Sequence, residues 1–544
     1  MGWYPAKICA AAIIILAVGV SPACPAELYL KLAGKRTAGK SVSGNWSASN
    51  CYGTLQAALA AMKGGDTLVI DDGTYMGAAN SIDRHHRPPS GTRSATTVIR
   101  ARSIPGLDGV PVNQPCRVRF DGRSGAVFND DGKSNDVQYV KFWGIKWDGV
   151  GLPDGWNHLY FKQCAFQGIS DGNSAVLSLS GRNNLVEDCV MYGKGRYKVL
   201  FYDISRTGIY GNNLCRRCVA RHDWAKKEDP TPDPIATFVS YLNRGSGFLN
   251  CIDIDSNKPA YWMNDPGEFN GAFSQPVDDS GSGPHSMMVR GSIVINSAMG
   301  VGWGATPAPG VGSALNDYTD VAGIKVAGGI NLRGGGTVTR LTLVDVGRRN
   351  FTYRSDTQRS QILQGDEGIN SWDRTVSVSD SIMRGIAGPA LKKGAKGAHV
   401  NLFMTGAVGA ASQVLKSDPF RNGLRFPVRV EDHTQLSSAG KNGGPLGARI
   451  LKRLGKDGAS KGNADWDTEQ GPLWPWPLEG WIQAEMRTSD YTAFCAPYAG
   501  TARACPESFR SDAYRGFAAP GQTLTGYIWE AFGNRLPAEI GAER

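Results

Sequence analysis

Short apolar stretches alternate with polar positions along much of the chain, and one frame of that alternation keeps returning. Phe161-Lys162-Gln163-Cys164-Ala165-Phe166 is followed by Val186-Glu187-Asp188-Cys189-Val190-Met191, by Cys215-Arg216-Arg217-Cys218-Val219-Ala220 and by Phe248-Leu249-Asn250-Cys251-Ile252-Asp253. Smaller polar residues take the cysteine's place in Val289-Arg290-Gly291-Ser292-Ile293-Val294 and Val378-Ser379-Asp380-Ser381-Ile382-Met383, and Thr339-Arg340-Leu341-Thr342-Leu343-Val344 is a looser copy. Each frame predicts two short strands around a one-residue corner, where Asp or Asn tolerates the left-handed conformation. Period-two alternation sends the Cys and the residue two later to one face, and the residue before the corner is expected to point inward with the Cys. A further strand precedes each unit, at 175–179, 199–202 and 235–239, and Gly- and Asn-rich corners such as 180–184 and 208–213 separate them. One strand unit repeated at variable spacing predicts stacked three-strand coils, with insertions going to loops.

Near the start, Gly53-Thr54-Leu55-Gln56-Ala57-Ala58-Leu59-Ala60-Ala61-Met62 reads as a short amphipathic helix. It leads into Gly64-Gly65-Asp66-Thr67-Leu68-Val69-Ile70 and Asp72-Gly73-Thr74-Tyr75. A helix there would cover the open end of a solenoid core. With these features the chain resembles the right-handed parallel β-helix proteins of the pectin-lyase-like superfamily over roughly residues 50 to 400. The resemblance implies an all-β fold, a right-handed parallel β-helix of three-strand coils with an N-terminal capping helix and a mixed C-terminal tail. It implies no single chemistry, because one fold hosts many functions.

The repeat pattern divides the chain into a signal peptide at 1–26, a β-helix with its cap at 27–400, and a C-terminal extension at 401–544. That extension either packs on the helix or forms a small Trp-rich module. Segments 256–290 and 302–330, rich in Gly, Pro, Asn and Asp, read as long insertions between repeat units. Leu473-Trp474-Pro475-Trp476-Pro477, with Trp466 and Trp481 nearby, is expected to dock the tail, a sugar-stacking platform being the alternative, and Gln522 to Gly533 to form a helix with Thr523 near its cap.

Seventy glycines and 20% charged residues suit a turn-rich solenoid better than a helical protein. Lys7, the apolar run Ile8 to Val20 and the small residues after it read as a secretory signal, predicting a secreted or periplasmic protein. Cys24 offers a weaker lipoprotein alternative. Export permits disulfides. Cys495 and Cys505 are the expected local bridge, and Cys51 with Cys116 a second candidate pair. Cys164, Cys189, Cys218 and Cys251 read as inward ladder residues.

Formal net charge is +10, and the window from Tyr192 to Lys227 alone holds nine Lys or Arg against two Asp. Stacking should gather that charge on one surface, which suits an anionic polysaccharide. Export and the absence of any recognition module argue against nucleic acid. In β-helix polysaccharide lyases, the class the resemblance suggests, a Lys or Arg removes the proton beside a uronate carboxylate, and calcium or another cation neutralises that carboxylate. On that reading Lys198, Arg206 and Arg244 are the candidate base and carboxylate-binding residues, and His222 or Tyr202 the proton donor. Arg196, Arg221, Lys226 and Lys227 would hold substrate.

A hydrolase would need paired carboxylates, and Asp253 and Asp255, on alternate strand positions, are the candidates. Asn129 to Asp136 is oxygen-rich but lacks the final Glu of a calcium loop. His85 and His86 are adjacent in a loop and poorly placed to share a metal. The competing reading is a non-catalytic surface or matrix protein that binds polysaccharide through the same face.

Overall fold

The computed structural model describes residues 25–107, 109–130, 137–151, 155–169, 175–206, 208–223, 235–256, 271–276, 285–304, 315–351, 366–370, 375–392, 399–404, 420–421, 423–489 and 512–540. Among the described residues, twenty-eight strands join in one sheet whose pairings are all parallel. They stack as three rows of a right-handed parallel β-helix. Row A runs through Tyr160–Lys162, Leu185–Glu187, Leu214–Arg216, Ser246–Leu249 and Ser286–Arg290; row B through Ala165–Gly168, Val190–Gly193, Val219–Ala220 and Ile252–Ile254; row C through Ala175–Leu179, Tyr197–Tyr202, Ala236–Tyr241 and Gly271–Gln275. Ile293–Gly304 spans rows B and C, and Leu315–Leu332 spans all three.

The corner between rows A and B is one residue in the left-handed region. Gln163, Asp188, Arg217, Asn250, Gly291, Asp320, Arg340 and Asp380 occupy it, with φ between 49° and 62°. A non-glycine residue there costs roughly 1–2 kcal/mol, and the ion pairs that Asp188, Arg217, Asp320 and Arg340 make across coils offset part of it. The residue after the corner is Cys164, Cys189, Cys218, Cys251, Ser292, Val321, Leu341 and Ser381 in successive coils. The cysteines are fully buried in the core. Their side chains serve the backbone as well. Cys189 Sγ donates to the Glu187 carbonyl at 3.2 Å, and Ser381 Oγ to that of Ser379 at 2.7 Å. The same atoms accept an N–H from the coil before: Cys164 N to Cys189 Sγ at 3.4 Å, and Cys251 N to Ser292 Oγ at 3.0 Å.

Four expectations need correction. The inward partner of the Cys is two residues before the corner, in the register Phe161, Val186, Cys215, Phe248, Val289. The residue immediately before it (Lys162, Glu187, Arg216, Leu249) points outward, because the left-handed corner is an extra residue in the alternation. The segment 302–330 is largely strand, with its own coil at Thr319-Asp320-Val321, and 256–290 includes strands Gly271–Gln275 and Ser286–Arg290. In the looser copy the corner is Arg340 and Leu341 takes the Cys position, one place earlier than the pattern suggested. Cys51 and Cys116 do not pair: Cys51 packs with Tyr29 and Val69, and Cys116 packs against the Trp481 cluster. Cys495 and Cys505 lie outside the described residues, as do residues 1–24 of the signal segment.

At the N-terminal end the Leu55–Ala61 helix, capped by Thr54 Oγ accepting from Ala57 N, buries Leu55, Ala58 and Leu59 in the coil core. At the other end of the sequence, residues 440–458 run back along the solenoid against coil order. Asp380 accepts from Lys441 N, Thr342 from Ala448 N, Asp320 from Arg449 N, Asn250 from Leu454 N and Glu187 from Gly458 N. Beyond this strap, Trp474, Trp476, Trp481, Ile482, Met486, Phe517, Ile528 and Trp529 bury the outer face of row B, formed by Val190, Tyr192, Val219, Ile252, Ile254, Ile293 and Ile295. Helices Glu479–Arg487 and Leu524–Trp529 supply much of that cover, the second capped by Thr523 Oγ. Among the described residues, no helix is long and apolar enough to cross a membrane.

Candidate functional site

The described C-terminal segment covers two of the three strand rows. It seals row B, and its Leu454 and Trp466 pack on Leu185, Leu214 and Leu249, the outer face of row A. On the outer face of row C the cluster, among the described residues, is row C's own: Ile235, Ala236 and Val239 with half-buried Tyr197, Leu200 and Tyr241. The Tyr202 and Tyr241 rings lie one coil apart, tilted at 54° with centroids 5.0 Å apart. The Arg196 guanidinium lies 5.5 Å from the Tyr197 ring, and that of Arg333 lies 6.0 Å from Trp303.

The basic window does not spread over one surface. Three of its arginines are buried in ion pairs. Arg216 binds Glu187 and donates to the backbone carbonyls of Lys456, Ala459 and Trp466 at 2.7, 3.3 and 3.1 Å. Arg217 binds Asp188 at 2.6 Å and Asp457 at 2.7 Å. Arg221, placed by sequence on the substrate face, pairs with Asp223 at 2.5 Å and donates to Met486 O, enclosed under the C-terminal helices. Burial alone would raise the Asp223 carboxyl, but Arg221 and Arg515 beside it hold it down at about 2. Among the described residues, Glu187, Asp188 and Asp457 are the three ligating groups close enough to share a cation. Lys162, Arg216 and Arg217 already neutralise them, so their chemistry is that of a salt-bridge network.

The structure brings Lys198 and His222 together and sets Arg206 and Arg244 apart from them. Lys198 is fully buried near the start of its row C strand, its ammonium donating to Gly193 O at 2.7 Å and Lys194 O at 2.8 Å. His222 lies at the end of row B, 1% exposed; burial, then the Lys198 charge, push its pKa well below the ordinary value, so the ring stays neutral. Asp253, inside the same coils, accepts from Thr237 at 3.0 Å and Ser256 at 2.7 Å, and burial raises it to about 6 against those bonds and Lys198. Asp255 does not face the same way. It sits at φ 53° and turns outward to accept from Phe517 N, Tyr527 Oη and Asn296 Nδ2, so the two are not a catalytic pair.

Arg206 and Arg244 are exposed at the far end of row C, by the corner into row A. Tyr202 is half-buried at that end, and Arg196 is nearly buried at the other. Lys226 and Lys227 lie outside the described residues, as does most of the oxygen-rich turn after Asp130, which itself binds Arg87 at 2.5 Å. His86 is held by Asp83 at 3.0 Å rather than poised for a metal.

Sequence reasoning passed over Tyr241, Ser274, Trp303 and Asn331, which share outward row C positions. Strand alternation within 271–275 and 328–332 was the available signal, hidden by reading those stretches as insertions.

Neither protein-family models nor curated proteins match the chain. Among solved structures it is similar to pectate lyase Pel9A, with 13% identity, 78% of this chain and 96% of that chain covered, and a TM-score of 0.40. It is also similar to a GH87 α-1,3-glucanase catalytic domain (10% identity, 66% and 67% covered, TM-score 0.33). A third is a mannuronic acid specific family 6 lyase from human gut microbiota (13%, 70% and 82%, 0.29). The fold itself rests on the strand pairing described above.

Proposed function

We propose that the chain is an exported polysaccharide-active protein that holds an acidic, uronate-containing glycan along the outer face of row C. One observation carries this reading. Row C is the strand face that the described C-terminal segment does not pack on, and it presents Tyr197, Tyr202 and Tyr241 on consecutive coils, with exposed Arg206 and Arg244 at the Tyr202 end. Aromatic rings offer their faces to the apolar side of a sugar ring, and arginine offers a bidentate fork to a carboxylate. The buried donors argue for binding as the core activity: Lys198 directs its protons to two backbone carbonyls, and Arg221 is enclosed.

A second reading, elimination on the same polymer, is supported by Tyr202 and Arg206 at the open end of the strand. There a base would take the proton beside the uronate carboxylate. The bond to the leaving sugar oxygen would break, that oxygen would collect a proton from the phenol, and a double bond would remain in the ring.

The test is to titrate polygalacturonate and alginate against the wild type and the Tyr202→Ala/Tyr241→Ala variant, and to follow ultraviolet absorbance with and without calcium. Binding should weaken about tenfold in the variant, the scale of one or two lost ring contacts. Absence of binding to every acidic polymer refutes the proposal. Absorbance from unsaturated products assigns the lyase activity, and binding without it assigns the non-catalytic role.

A further inference from the structure

Further along row C lies a column whose chemistry differs from the tyrosine and arginine end. Ser274, Trp303, Asn331 and Asn370 occupy one register position in four successive coils. Their strand neighbours Phe273, Ile330 and Leu332 are in the coil core, so alternation turns Ser274, Trp303 and Asn331 to the outer face. Ser274 and Asn331 are nonetheless only 1% and 2% exposed, and neither the Ser274 hydroxyl nor either amide atom of Asn331 has a hydrogen-bond partner. Buried polar groups are nearly always bonded, so such a group marks a place for water, an ion or a ligand.

Asn184 and Asn213 obey the rule, while Asn243 and Asn296 each leave one buried amide atom unbonded. At the corner between rows C and A, Asn184 accepts from Leu159 N at 2.9 Å, and Asn213 accepts from Asn184 N at 3.0 Å and donates to Gly181 O at 3.0 Å. Gln275 and Asn316 also lack partners, but their register places them among the inward residues, inside the coil. The outward pair differs by flanking an indole, with Arg333 6.0 Å from that ring. A hydroxyl, an amide that both donates and accepts, and an indole are the groups that read a sugar by its hydroxyls and its apolar face. No carboxylate-specific fork stands in the column itself.

We propose that Ser274, Trp303 and Asn331 form a subsite for an uncharged sugar residue, so that the polymer held on row C is a heteropolysaccharide with neutral as well as acidic units. The inference rests on the glycan-binding reading of the same face. The coils repeat at about 4.8 Å, so the column offers a neutral sugar a place in line with the tyrosine and arginine end.

The test is calorimetric titration of the full chain with cello-, manno- and galacto-hexaose and, separately, with polygalacturonate, at low and high salt. At least one neutral hexaose should bind with little dependence on salt, and Asn331→Ala should weaken it about 3- to 10-fold, the equivalent of one or two net hydrogen bonds. Ser274→Ala, a smaller change, keeps the test intact should Asn331→Ala fail to fold. Tyr202→Ala should affect polygalacturonate more than the hexaose. If polygalacturonate binds but no neutral hexaose does, the subsite is overturned while the glycan-binding reading stands. Hexaose binding left unchanged by both substitutions overturns the subsite in the same way. If no saccharide of either kind binds, both fall.

Discussion

Replacing Glu187 by alanine should release the strap from the middle of the solenoid. Glu187 is fully buried and accepts from Tyr160 Oη at 2.8 Å, Lys162 Nζ at 2.5 Å, Arg216 Nε at 3.1 Å and Gly458 N at 3.2 Å. Its loss strands the Arg216 guanidinium, also fully buried, whose other bonds go to strap carbonyls. Breaking a buried pair by removing one partner costs about 3–5 kcal/mol, chiefly from the uncompensated charge. Burial works to raise the Glu187 carboxyl, but Arg217, Arg216 and Lys162 outweigh it and hold it near 2, below the ordinary 4.5. The folded value is the lower one. The stabilisation is therefore complete above 4.5 and disappears as pH falls through the folded value. Urea unfolding followed by tryptophan fluorescence should show the loss at pH 7 and a much smaller difference from wild type near pH 2. Trypsin should also cut faster at Lys456 and Lys461. Combining Glu187→Leu with Arg216→Leu should recover most of the stability, since apolar replacement of a whole pair is often neutral. A single-mutant loss below about 1 kcal/mol, the range of a surface pair, with unchanged cutting would refute the reasoning.

Further outcomes follow from the same geometry. Asp253→Asn should stabilise the protein at pH 8 by about 2–3 kcal/mol and less as pH drops below 6, because the carboxyl's folded value of about 6 exceeds its ordinary 3.8 and its ionisation opposes folding above it. Thermal melts from pH 4 to 8 read this, and an unchanged pH profile counts against it. Cys189→Val should cost about 1–3 kcal/mol by leaving the Cys164 N–H without an acceptor, and Cys189→Ser less. Urea midpoints for the two variants in the reverse order would contradict the thiol's role. Asp255→Ala removes the acceptor for Phe517 N, Tyr527 Oη and Asn296 Nδ2 and should expose the Arg515–Phe517 turn to protease, with about 2–4 kcal/mol lost. Protection equal to wild type would mean that the row B cover holds without it.

The coil was legible because Asp188 and Asn250 stand where only a left-handed residue can turn the chain, and the cysteines after them mark the register. The coil at Thr319-Asp320-Val321 escaped notice because valine replaced the thiol and the strand Leu315–Leu332 runs through both corners without a break. Cysteine and serine recur at that position for a reason alternation cannot express: each bonds to the carbonyl two residues back and to an N–H one coil away. The charge window misled for a related reason. Arg216, Arg217 and Arg221 look like a basic surface in sequence, but their partners Glu187 and Asp188 come from the preceding coil, and Asp457 and Met486 O from more than two hundred residues downstream. Lys198 was grouped with Arg206 and Arg244, but it lies instead beside His222, and the enclosure of both depends on contacts across coils.

A bare solenoid is held only between adjacent coils, so it can fray from either end and open in segments. The strap changes that connectivity. Residues 440–458 bond successively to the corners or strands at Asp380, Thr342, Asp320, Asn250 and Glu187. Most of the intermediate coils are tied to a common longitudinal thread as well as to their two neighbours. Opening any one of these coils then means peeling the thread from others, which turns a row of semi-independent units into a body that melts as one.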